Sequence, residues 1–130
     1  MSTKPRTKEE SVKDRVKKVL RLRNVQFDMP ATHGYGKSGN FDFVCCVRGL
    51  YLGIETKRDD KEHPTQLQTD HAHAVIEAGG VALLIHKDNV GLVGGTIDIL
   101  KRGGAAPSWW PAPPPQAPDP APPVLKRKKA

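Results

Sequence analysis

The chain has 130 residues and a formal net charge of +7, a length that suits one small domain and a balance that favours an anionic partner, nucleic acid first among them. No apolar run approaches the length of a membrane span, so no membrane partner is expected, and the polar, charged stretch from Met1 to Glu10 lacks the apolar region of a signal peptide. Cys45 and Cys46 are neighbours that would point to opposite faces of a strand, which suits neither a shared metal nor an ordinary disulfide; a reducing, cytoplasmic setting fits, with Cys45 as a small buried hydrophobe.

Residues 1 to 8 form a basic lead-in. Glu9 to Arg23 is predicted to be a helix, with Val12, Val16, Val19 and Leu20 as its apolar stripe and Lys13, Lys17, Lys18 and Arg21 over much of the rest. Glu9 shares the stripe with Val12 and Val16 whereas Glu10 is rotated away, so Glu9 is the acid expected to look inward. Val25-Gln26-Phe27 reads as a short strand, and the loop from His33 to Gly39 is rich in residues that permit close backbone approach. Residues 41 to 57 read as a β-hairpin turning at Arg48-Gly49. With Val47 facing Leu50, counting outward sets Asp42 directly opposite Glu55. One face then carries Phe41, Phe43, Cys45, Val47, Leu50, Leu52 and Ile54, and the other carries Asp42, Val44, Cys46, Tyr51, Gly53, Glu55 and Lys57.

Arg58 to Pro64 is a charged loop, and Thr65 to Ala78 reads as a helix stopped by Gly79-Gly80. Leu67, His71, Ala74, Val75 and Ala78 mark its inner side, with Gln68 adjoining through His71 and Val75. Val81 to His86 is an apolar run suited to a buried strand. Asp88 is expected to cap a last helix in which Val90, Val93, Ile97 and Leu100 keep helical spacing. From Gly103 Pro and Ala dominate as far as Pro123, followed by Lys126-Arg127-Lys128-Lys129, a composition that does not join a packed core. The expected organisation is an α/β domain over residues 1–102, in the order helix, hairpin, helix, strand, helix, and a disordered Pro/Ala-rich tail with a basic end over 103–130.

Asp42 and Glu55 carry the chemistry. Like charges opposite each other destabilise a strand pair, and a carboxylate in a run otherwise suited to burial is costly without a partner. A divalent cation between them inverts the sign of that interaction. Mg²⁺ takes oxygen ligands, keeps several waters and usually binds only one or two carboxylates. Asp42 and Glu55 would supply those and the Thr56 carbonyl a third ligand. Lys57, on the same face as Glu55, could hold or deprotonate an attacking water. Together these groups suit metal-dependent phosphodiester hydrolysis. The five histidines do not assemble into a zinc site, because His71 and His73 point to different sides of one helix.

At Gly36-Lys37-Ser38-Gly39-Asn40-Phe41-Asp42, Ile54-Glu55-Thr56-Lys57, Thr65-Gln66-Leu67-Gln68 and Ala78-Gly79-Gly80, in that order and spacing, the chain resembles the VRR-NUC branch of the PD-(D/E)XK nucleases over roughly residues 9 to 86. The resemblance implies a small restriction-endonuclease-like domain with a central mixed sheet flanked by helices. It also implies a Mg²⁺- or Mn²⁺-dependent nuclease acting on DNA, with Asp42 and Glu55 as metal ligands and Lys57 beside the nucleophilic water. The family's glutamine carries to Gln68 and its first-helix glutamate to Glu9, which the helical phase selects independently. Phe41 replaces the proline usual before the aspartate, a residue that shapes backbone and is not a ligand. Stand-alone domains of this kind are common in phages, which implies a phage source and the cytoplasm of a bacterial host.

Given a nuclease, Lys37, Ser38, Lys13, Lys17 and Arg58 are candidate contacts to the DNA backbone, and contacts of that kind make binding salt-dependent. The basic tail could hold DNA or another protein, and Trp109-Trp110 could stack on exposed bases or bind a partner. A Holliday junction, a flap or a plain duplex all remain open as substrate, and junction cleavage would favour a homodimer with two symmetric sites. Two rivals stand beside the nuclease. One is a non-catalytic basic DNA-binding module. The other is a nucleotide hydrolase, because Ala31 to Ser38 satisfies a permissive phosphate-loop pattern; but Gly39-Asn40 leads into a strand where that motif needs a helix.

Overall fold

The computed structural model describes residues 7–31 and 39–111. Its elements run α1 (Lys8–Leu22), β1 (Gln26–Asp28), β2 (Phe43–Val47), β3 (Leu50–Thr56), α2 (Gln66–Glu77), β4 (Val81–Ile85) and α3 (Gly91–Lys101). The strands form one mixed sheet in the order β1-β2-β3-β4, antiparallel except for the parallel pair β3–β4, which α2 connects. A parallel pair needs such a crossover, whereas the antiparallel pair β2–β3 needs only a tight turn. At that turn Arg48 (φ 52°) and Gly49 (φ 83°) are both left-handed, the type I′ geometry whose twist matches the strands it joins. Among the described residues no helix is long and apolar enough to cross a membrane.

The main core lies on one face of the sheet. Val12, Val16 and Leu20 of α1 and Val90, Val93, Ile97 and Leu100 close over Phe43, Cys45, Leu52, Ile54, Leu83 and Ile85. The thiol of Cys45 is buried here and pushed up to about 12, mainly by that burial, while Cys46 is exposed on the other face. Asp88 does not cap α3. The helix is preceded by Val90, which has no side-chain cap, and Asn89 orders the turn instead, accepting from the His86 N–H (2.7 Å) and donating to the Leu84 carbonyl (3.1 Å).

A smaller core fills the opposite face beneath α2, and here the sequence reading needs correcting. The hairpin register is as predicted from Val47–Leu50 to Phe43–Ile54, but the ladder ends there and the chain bends at Asp42. Phe41 therefore leaves the face of Phe43 and packs with Ala72 and Ala82 on the other side. Its ring lies against Gly53, where an added Cβ would come within 2.3 Å. Gly53→Ala is expected to destabilise the fold by about 1–3 kcal/mol through this overlap, read as a lower thermal midpoint. On α2, Ala72 is the buried residue, Leu67 is 48% exposed, and Ala74 and Ala78 face outward. A small side chain at the contact lets the helix come close to the sheet.

The fold also continues past residue 102. The Trp109 N–H donates to the Ala82 carbonyl (2.9 Å) and the Leu84 N–H to the Trp109 carbonyl (2.8 Å), so Trp109 forms a parallel bridge on the outer edge of β4. Ser108 Oγ accepts from the Ala82 N–H (3.0 Å). Trp110 meets Phe41 edge-on, centroids 6.0 Å apart, and its indole N–H reaches Thr69 Oγ1 at 3.4 Å. The expected tail boundary at 103 is thus too early. The remainder of that tail, including Lys126 to Lys129, lies outside the described residues.

Candidate active site

Two capping boxes place the outer members of the site. At the start of α1, Thr7 and Glu10 cap each other: the Glu10 N–H donates to Thr7 Oγ1 (3.1 Å) and the Thr7 N–H to Glu10 Oε2 (2.8 Å). This reciprocal pairing satisfies two amides that the helix itself cannot, and it engages Glu10 at the helix end. Glu9 is turned instead toward Lys13, one helical turn on. At the start of α2, Gln68 caps Thr65 in the same way, its Oε1 accepting from the Thr65 N–H (2.9 Å). That fixes which end of the Gln68 amide is free. Its Nε2 donates to Glu55 Oε2 at 2.9 Å. A glutamate at 68 would serve the cap equally well but would set a carboxylate against Glu55.

Asp42 sits where β3 outruns β2. The ladder stops at Phe43–Ile54, so the Thr56 N–H has no partner in β2. Asp42 Oδ2 takes that amide at 2.9 Å and the Thr56 hydroxyl at 2.5 Å. The opposite oxygen, Oδ1, faces Lys13 Nζ at 3.6 Å, and Lys13 also lies 3.6 Å from Glu9. Thr56→Val keeps the shape of a residue that is 1% exposed but removes the hydroxyl. Losing one hydrogen bond to a charged group, worth about 1.5–3 kcal/mol, should loosen Asp42. The thermal midpoint is expected to fall correspondingly.

Glu55 is 4% exposed. Its Oε2 accepts from Gln68 and faces the Lys57 ammonium at 3.7 Å. Its Oε1 is buried with no hydrogen-bond partner. Burial, and then the facing Asp42 carboxylate, push the Glu55 carboxyl up to about 8, with Lys57 and a hydrogen bond from the Asp42 backbone offsetting part of the rise. Such a group keeps its proton at neutral pH unless a cation replaces it.

Glu9, Asp42, Glu55, Thr56, Lys57 and Gln68, predicted from scattered segments, therefore lie together. Lys13, expected as a contact to the DNA backbone, lies between Glu9 and Asp42. Its spacing to Glu9 was visible in the sequence, but the bend that brings Asp42 to it was not. Lys17 lies one turn beyond Lys13 on α1. Arg58 pairs with Glu62 (3.3 Å) and Asp59 (3.7 Å). With Lys8, Arg15 and Lys87 it lines a basic cleft of about 270 Å³. Lys37 and Ser38, and with them the phosphate-loop pattern, lie outside the described residues.

Each carboxylate thus has one anchored oxygen, Asp42 Oδ2 and Glu55 Oε2. The other two, Asp42 Oδ1 and Glu55 Oε1, are the atoms that could meet a cation. Among the described residues no three His, Cys, Asp or Glu side chains are placed to hold one metal ion between them. A two-carboxylate set suits a hard ion that keeps its waters, such as Mg²⁺, and does not suit zinc.

No family model matches the chain, and no curated protein matches it in sequence. Among solved structures, one described as a "VRR_NUC domain" superposes with a TM-score of 0.58 at 20% identity, over 72% of this chain and 97% of that one. The chain has the small α/β, restriction-endonuclease-like fold of a VRR_NUC domain.

Proposed function

We propose that the protein is a metal-dependent nuclease that hydrolyses DNA phosphodiester bonds, acting as an endonuclease on structured or duplex DNA. The observation that carries this reading is the buried, unpartnered Oε1 of Glu55 beside a second carboxylate. A fold gains nothing from that arrangement unless a cation completes it. Asp42 and Glu55 would hold Mg²⁺ or Mn²⁺, with the Thr56 carbonyl as a third protein ligand. Bound there, the ion would make water more acidic and offset charge on the phosphate.

The chain's own residues supply the rest. Thr56 holds Asp42 in place and Gln68 holds Glu55, which limits the entropy lost when the two carboxylates take up a cation. Lys57, whose side chain is only 12% exposed, has donors to orient the attacking water and to meet the phosphate oxygens. Lys13 neutralises Asp42 before substrate arrives. The cleft of Lys8, Arg15, Arg58 and Lys87 offers the flanking DNA backbone a run of positive charge.

A cleavage panel tests the proposal, with the purified chain, Mg²⁺ or Mn²⁺, and duplex, flap, bulged and four-way-junction DNA. Metal-dependent cutting of at least one is expected. Binding without cutting on every member would make the protein a DNA-binding module instead.

A further inference from the structure

We infer that Trp109 builds a stacking site for one unpaired nucleobase beside the scissile phosphate, so that the substrate is DNA with an unpaired nucleotide at the point of cleavage. This rests on the nuclease reading above and narrows its substrate class.

A cleft of about 190 Å³ is lined among others by Lys57, Leu84, His86 and Trp109, without Asp42. Lys57 is shared between this cleft and Glu55, so a nucleotide in it lies next to the reacting phosphate. The buried Leu84 gives it an apolar base. The indole of Trp109 is 57% exposed, yet its backbone is fixed to β4 through both its N–H and its carbonyl. An accessible aromatic side chain carried on a fixed backbone loses less entropy on meeting a ligand than one on a mobile segment.

Charge decides between a base and a phosphate. Asp59, Asp60 and Glu62 line the same cleft beside Lys57; Arg58 pairs with Asp59 and Glu62, and the carboxylates offer acceptors to base N–H groups rather than a seat for phosphate. The cleft of Lys8, Arg15, Arg58 and Lys87 has the opposite balance. The end of β3 thus separates a basic channel suited to the backbone from an aromatic, acid-rimmed one suited to a heterocycle. Within a duplex, both faces of a base are stacked and its edge is paired. Drawing it out costs least where the nucleotide is already unpaired, and stacking on an aromatic side chain then favours any base.

The test uses the full chain carrying Asp42→Asn, so that DNA is not consumed, and a duplex with 2-aminopurine as a one-nucleotide bulge. Stacking is expected to quench the probe. Adding Trp109→Ala is expected to leave it bright and to erase a preference for bulged over paired DNA of about ten-fold, while Trp109→Phe keeps both quenching and preference. Thermal melts establish that each variant is folded; the Trp109 side chain is mostly exposed and its bonds to β4 are main-chain. Quenching and preference that survive Trp109→Ala would overturn the inference, as would absence of DNA binding. Stacking by a wild-type chain that cuts no DNA with any metal would leave this site standing and defeat the nuclease reading. Cutting that is indifferent to Trp109 would do the reverse.

Discussion

Asp42→Asn is expected to lower DNA cleavage about a thousand-fold or more while the protein stays folded and still binds DNA. The amide oxygen can still accept from the Thr56 amide and hydroxyl that now hold Oδ2, so the bend at residue 42 survives. What disappears is the negative charge facing Glu55, and with it half of the carboxylate pair. Lys57→Ala should reach a similar deficit, within the range of about 10²–10⁴-fold typical for loss of a positioned proton-handling group, without removing either carboxylate. The two variants separate on metal affinity: titration calorimetry should show weakened Mg²⁺ or Mn²⁺ binding for Asp42→Asn and near-normal binding for Lys57→Ala. Equal cleavage by wild type and Asp42→Asn at saturating metal would rule out the carboxylate pair as the reacting centre.

The second large effect is on stability, and its sign follows from Glu55. The carboxyl is held up to about 8 in the folded chain, against an ordinary value of 4.5. Between those limits the folded protein keeps a proton that the unfolded chain has released. In the absence of metal, stability is therefore expected to be full below pH 4.5, as far as this group is concerned, and to be lost as pH rises through 8. The total is about 4–5 kcal/mol, a fall in thermal midpoint on the order of 20 °C or more for a domain of this size. Glu55→Gln should flatten that slope and make the variant the more stable protein above pH 8 in EDTA. Divalent metal should restore the wild type and not the variant, and near neutral pH its binding should release about one proton. Melts in EDTA with no slope between pH 5 and 8 would show that Glu55 is already ionised without metal.

Much of this site was legible because its parts are local. Thr65 and Gln68 announce a helix start by spacing alone, and Arg48-Gly49 fixes a hairpin whose register brings Asp42 and Glu55 to the same end. The phase of α1 separated Glu9 from Glu10 correctly, since only one of them can serve Thr7. What could not be read was where regular pairing ends. Strict alternation carried one residue too far, and put Phe41 on the face of Phe43, because nothing local says that Asp42 would exchange its strand partner for the amide and hydroxyl of Thr56. The same long-range event gave Lys13 its neighbour. On α2 the large apolar residues suggested an inner face, but close approach to Ala82 selected Ala72 for burial and left Leu67 outside. Tertiary proximity overrode hydrophobicity there, as it did for Trp109 and Trp110, whose proline-rich surroundings concealed a segment that pairs with β4.

That pairing has a consequence for how the chain can be handled. In the order β1-β2-β3-β4 the last strand is a sheet margin, and all five of its residues are buried. Ser108 and Trp109 occupy the hydrogen-bonding groups of Ala82 and Leu84 along it. Bare, an apolar margin of this kind is a template on which a strand from a neighbouring molecule can add, the first step toward aggregation. A truncation at Arg102, which the composition of the tail invites, would strip away this guard and leave a sticky protein; one that stops after Pro111 would keep it.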